Sequence, residues 1–150
     1  AAARSYLLQL VEISERRTDL PGITTAWSGL AQVYSSIGDY SSAEDAYVKL
    51  LAAAAVLRNR NTEAMALLQR AALRESTGRK EMALSDLARG MAIVDGIDEP
   101  QTRAHYLLAI TRLRGDCSSN EGSARLSEAL EIGRRYQDHE LLWQIQDRFG

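Results

Sequence analysis

The chain has 150 residues, 45% of them apolar and 25% charged, so it can bury a core and is not a disordered tail. Its 18 basic and 20 acidic residues leave a net charge of -2, which provides no electrostatic footprint for nucleic acid or an anionic membrane. Cys117 is the single cysteine, which excludes an internal disulfide and a cysteine-based zinc site, and no apolar run reaches the roughly 18 residues of a membrane span.

Two Pro and one Phe among many Ala, Leu, Arg and Glu favour helix over sheet. The first helix is expected from about Ala2 to Arg17, before Asp19-Leu20-Pro21-Gly22. Its apolar segment from Tyr6 to Val11 lacks the basic leader and long apolar core of a signal peptide. The second helix runs from about Pro21, which suits a first turn, to Ile37, and Gly38-Asp39 stops it. The third starts near Ser41, where Ser41 and Glu44 are spaced as a capping box, and continues without Pro or Gly to Asn59. The fourth starts near Asn61 as N-cap and ends by Gly78. The fifth covers Lys80 to Val94, and the sixth holds Pro100 in its first turn and ends at Gly115. The seventh starts near Ser118, with Glu121 as capping-box partner, and the eighth follows Asp138.

A period of about 40 residues organises these elements. Ala3, Ala43 and Ala83 are 40 apart, as are Leu7, Tyr47 and Leu87. Leu10 and Leu50 are followed at the same step by Gly90, and Gly38 by Gly78. Gly122, Leu126, Ala129 and Ile132 echo Ala83, Leu87, Gly90 and Ile93. A fixed period of this size marks a helical solenoid. Read in pairs, the helices give hairpins at 21–58, 60–95 and 99–137. Residues 2–17 then form the second half of an earlier hairpin, and 139–150 the first half of a later one. With Ala1-Ala2-Ala3 at its start and no Met, the sequence is expected to be a piece of a longer protein.

The stretch Trp27-Ser28-Gly29-Leu30-Ala31-Gln32-Val33-Tyr34, followed by Ala43 and Tyr47, carries a more specific pattern. It resembles the tetratricopeptide repeat, W-x2-L-G-x2-Y then A-x3-F then P, with Ala31 for the Gly, Tyr47 for the Phe and Ala55 in place of the Pro. The resemblance implies an all-α, right-handed solenoid of antiparallel hairpins. The unit is longer than the family's ~34 residues, and a lengthened second helix of each hairpin is expected to account for it. Such long repeats resemble those of bacterial signalling proteins, including maltose-regulator-type transcription activators, and arrays attached to caspase-like peptidases. In the second repeat, Arg70 and Arg74 stand where Leu30 and Tyr34 stood.

No HExxH, GxSxG, Walker or GxGxxG pattern occurs, and His105 and His139 have no acidic partner at ligand spacing. No enzymatic activity, cofactor or metal is expected. The scattered acids read as solvated helix faces, and Glu12 with Arg16 and Glu131 with Arg135 as surface pairs. Trp27, Tyr34, Tyr40 and Tyr47 read as packing residues. The resemblance implies a concave groove lined by the first helix of each hairpin. Carried over, the groove positions are Ser28 and Gln32, then Leu68 and Ala72, then Tyr106 and Ile110 or, one residue earlier, His105 and Ala109. None is Lys, Arg or Asn, so the carboxylate clamp of some family members is not expected. The expectation is a bacterial, cytoplasmic, non-enzymatic scaffold within a larger regulatory protein. Its partner would be a protein, a peptide or neighbouring domains of the same chain. Nucleic acid and membrane are not expected partners. The alternative is a ligand- or peptide-sensing domain of a signalling ATPase or peptidase. The apolar residues of the terminal helices, Trp143 and Phe149 among them, predict self-association, end to end or about a two-fold axis.

Overall fold

The computed structural model describes residues 2–150, and Ala1 lies outside the described residues. These residues form an all-α chain of eight helices, α1 (Ala2–Arg16), α2 (Leu20–Ser36), α3 (Tyr40–Val56), α4 (Arg60–Ser76), α5 (Lys80–Val94), α6 (Pro100–Arg114), α7 (Asn120–Arg135) and α8 (His139–Phe149). None of them is long and apolar enough to cross a membrane.

The regular spacing comes from one turn used repeatedly. After α2, Gly38 takes a left-handed φ of 79°. Its N–H donates to the Ser35 carbonyl, and the Asp39 N–H reaches back to Tyr34. These bonds satisfy carbonyls that the helix end would otherwise leave unpaired. Asp39 then caps the next helix, its carboxylate accepting from the Ser42 N–H at 3.2 Å. The same pair of backbone bonds closes α1 at Thr18-Asp19, α3 at Arg58-Asn59, α4 at Gly78-Arg79 and α7 at Gln137-Asp138. One residue thus ends a Schellman turn and opens the following helix, which leaves only three residues between helices.

This double duty moves the caps away from where local motifs place them. Asp39, not Ser41, caps α3, and Asn59, not Asn61, caps α4 through the Thr62 N–H. Ser119, not Ser118, caps α7 by accepting from Gly122 N–H. The repeat length is also distributed differently from the expectation. α2 and α3 have 17 residues each, so the extra length is shared by both helices of the hairpin rather than placed in the second.

Each helix packs on its neighbours in sequence, with lesser contacts from α4 to α6 and from α6 to α8. The core is accordingly a chain of three clusters rather than one centre. Trp27, Leu30, Ala31, Ala43, Tyr47 and Leu50 build the first, Ala83, Leu87 and Tyr106 belong to the second, and Leu108, Ala129, Leu141 and Ile145 to the third. Ala43 is fully buried and Tyr34 packs half-buried against the first cluster. Lys49 covers the open face of Trp27, its Nζ 4.2 Å from the ring centroid. Tyr40 departs from the packing role read in the sequence, because it is exposed and lines a surface cleft.

Candidate interaction face

The even-numbered helices share one face of the molecule. Between α2 and α4 lies a cleft of about 490 Å³ lined by Gln32, Ser35, Tyr40, Gln69, Ala72 and Ser76. Between α4 and α6 lies a smaller one of about 150 Å³, lined by Leu68, Ala72, His105, Ala109, Arg112 and, from α8, Gln144. Ala72 borders both, so a residue with only a methyl side chain stands between the two clefts. Thr24, Thr25, Ser28 and Thr62 line a third hollow near the start of α2 and α4.

Ser28, Gln32, Leu68 and Ala72 therefore border the clefts of this face, whereas the third pair does not continue it. Tyr106 is fully buried, its hydroxyl donating to the Ala64 carbonyl, and Ile110 packs against the second core cluster. The cause is Gly90, which stands where Leu10 and Leu50 stood. A Cβ at Gly90 would collide with the Tyr106 ring, so the missing side chain is what lets the tyrosine enter. Of the other register, His105 is half-exposed at the cleft, and Ala109 borders the cleft from the second core cluster, where it is buried.

The guanidinium on this face is neutralised in place. Arg112 makes a paired contact with Glu75 of α4, with Nε 3.0 Å from one carboxylate oxygen. His105 does have an acidic neighbour, remote in sequence: its Nε2 lies 3.6 Å from Asp138 Oδ2, while Oδ1 of that carboxylate caps α8 at the Leu141 N–H. The lining is left with hydroxyls, carboxamides and small apolar patches. Such groups donate and accept hydrogen bonds without demanding a charge.

Beneath this face lies a charged network that local sequence spacing did not reveal. Arg70 makes two bonds to Asp86, Nε–Oδ2 at 2.9 Å and Nη2–Oδ1 at 2.6 Å, and both residues are buried. Arg74 reaches Asp86 at 2.9 Å and makes two 3.0 Å bonds to Glu44 of α3, which Arg79 also approaches at 2.9 Å. These acids are not solvated faces. Burial opposes the charge on Glu44, but the Arg74 hydrogen bonds and the charges of Arg74, Arg79 and Arg70 outweigh it and hold its carboxyl below the usual range. Burial, with a further contribution from the Asp86 charge, raises the Tyr106 phenol above its ordinary value.

Chemistry-bearing side chains are otherwise dispersed. Among the described residues no three His, Cys, Asp or Glu converge as a metal would need. Cys117 is exposed in the α6–α7 connection. Comparisons of the chain with protein-family models, with curated proteins and with solved structures found no match.

Proposed function

We propose that this chain is a tetratricopeptide-like interaction scaffold that holds a polar, extended segment of a partner protein along the clefts of its even-numbered helices. The reading includes the expected setting, a bacterial, cytoplasmic regulatory protein, and gives the chain no catalytic step. What supports it is the row of clefts across α2, α4 and α6 that meet at Ala72, where the Arg112 guanidinium is matched by Glu75 and His105 lies beside Asp138. A face of this kind repays a ligand in backbone hydrogen bonds and shape rather than in ion pairs. Gln32 and Gln69, on the two walls of the larger cleft, present carboxamides of the kind that pair with a peptide backbone.

The test is selection of binders from a random-peptide library on the wild-type chain, followed by titration of the Ala72→Arg variant. Ala72 is exposed, so its replacement leaves the fold intact while filling the junction of the clefts. Selected peptides should lose affinity by about tenfold or more, ~1.4 kcal/mol. Unchanged affinity for Ala72→Arg, or no binders at all, counts against the proposal.

A further inference from the structure

The start of α4, the end of α5 and the α5–α6 connection enclose a cleft of about 460 Å³ that carries charges of both signs. Arg60, Glu63 and Arg89 line it, with Ile93 and Ile97 as its apolar side. It shares no lining residue with the clefts between the even-numbered helices. Forty residues earlier, Leu20, Ile23 and Lys49 stand where Arg60, Glu63 and Arg89 stand. There Ile23 packs against the first core cluster, and Lys49 lies over the Trp27 ring. The second repeat keeps the position of Ile23 buried but gives it a carboxylate, and puts Leu67 where the aromatic ring was. The Glu63 side chain is only 9% exposed, and its one partner is Arg60, with Nη1 3.5 Å from Oε2. That is the outer limit of a hydrogen bond, and a buried carboxylate needs more than one such contact. Among the described residues Arg89 has neither an acid nor an aromatic ring as partner.

We propose that this cleft binds a free α-amino acid with a branched apolar side chain. Its ammonium group donates to Glu63, its carboxylate accepts from Arg60 and Arg89, and its side chain lies against Ile93 and Ile97. The charges decide the class of ligand. A plain anion is drawn by the two guanidiniums and repelled by Glu63, and a plain cation meets the reverse. A ligand bearing both charges satisfies both kinds of group at once. Arg60 and Glu63 hold their opposite charges 3.5 Å apart, so the ligand's charges must be close neighbours, as they are across one α-carbon. Guanidinium groups grip a carboxylate with paired hydrogen bonds, which gives Arg60 and Arg89 orienting power as well as charge. The site does not rest on peptide binding, so either reading can fail alone.

Titration of the chain with L-leucine, followed by calorimetry and nuclear magnetic resonance at neutral pH, tests it. Isocaproate, which lacks the ammonium group, and isoamylamine, which lacks the carboxylate, serve as the comparison ligands. L-Leucine should bind saturably at millimolar concentration or below and shift the backbone signals of Ile93, Gly96 and Ile97. Each comparison ligand should bind at least about tenfold more weakly. Glu63→Gln should abolish the advantage of leucine over isocaproate, and Arg89→Gln should reduce its advantage over isoamylamine. Arg89 is exposed, so its variant keeps the fold, and circular dichroism checks helix content in both. The absence of saturable leucine binding overturns the proposal. So does equal affinity for leucine and either comparison ligand, or leucine binding that neither variant weakens.

Discussion

Arg70 and Asp86 lie 16 residues apart in sequence and meet face to face inside the protein, joined by two hydrogen bonds of 2.9 and 2.6 Å. Their 40-residue antecedents, Leu30 and Ala46, are both buried in the first cluster. The second repeat has therefore exchanged an apolar contact for an ionic one at the same place. Removing one partner of such a pair strands the other's charge, which costs about 3–5 kcal/mol, whereas replacing both with apolar groups costs far less. Asp86→Ala should destabilise by that amount in urea unfolding, and Arg70→Met with Asp86→Leu should recover most of the loss. Equal stabilities for the single and double variants would mean that the pair is not desolvated.

The depressed Glu44 carboxyl and the raised Tyr106 phenol predict losses of stability at opposite ends of the pH scale. Glu44 binds its proton more weakly folded than unfolded, so its contribution is present above the unfolded carboxyl value of about 4.3 and is lost as pH falls through the folded one. Tyr106 holds its proton more tightly when folded, so its contribution is present below about pH 10 and is lost as pH rises further. Thermal midpoints across pH should decline at both ends. Glu44→Gln should flatten the acid limb and Tyr106→Phe the alkaline limb, and unchanged limbs would contradict these assignments.

Gly90→Ala should destabilise by about 1–3 kcal/mol, the usual cost of overpacking, because the added methyl meets the Tyr106 ring. Thermal or urea unfolding measures it. In a Tyr106→Leu background the same substitution should cost less than it does in the wild type, and additivity of the two would remove the proposed cause of the α6 register.

Left-handed turn residues separate backbone cost from packing. A Cβ at Gly38 meets nothing within 4 Å, so Gly38→Ala should cost only the strain of φ 79°, about 1–2 kcal/mol. Gln137 bears that strain at φ 53°, and Gln137→Gly should raise stability by up to about 1 kcal/mol. Urea midpoints for both variants decide the matter, and a stabilised Gly38→Ala would contradict the turn geometry.

The helices were legible because their breaks are local: Gly38-Asp39, Gly78 and Asp138 each announce a turn within a few residues. Cap positions were less so, since Asp39 and Asn59 end one motif while starting another, and a capping-box pattern at Ser41 competes for notice. Ser28, Gln32, Leu68 and Ala72 border surface clefts in both of the first two repeats, which keep one register. Tyr106 could not be placed, because its position depends on a glycine 16 residues earlier that only matters in three dimensions. Arg70 and Asp86 escaped for the same reason: pairing rules for i,i+3 and i,i+4 neighbours do not reach across two helices. The repeat alignment held the clue, since two opposite charges replaced two core positions together.

The most direct test of the interaction face is its footprint by nuclear magnetic resonance with a library-selected peptide bound. Side-chain amide signals of Gln32 and Gln69, together with backbone signals around Ala72 and His105, should shift on titration. Signals from the outward-facing residues of α3 and α5, such as Val48 and Met82, should stay in place. Shifts confined to the odd-numbered helices, with Gln32, Gln69 and Ala72 unmoved, would contradict the account.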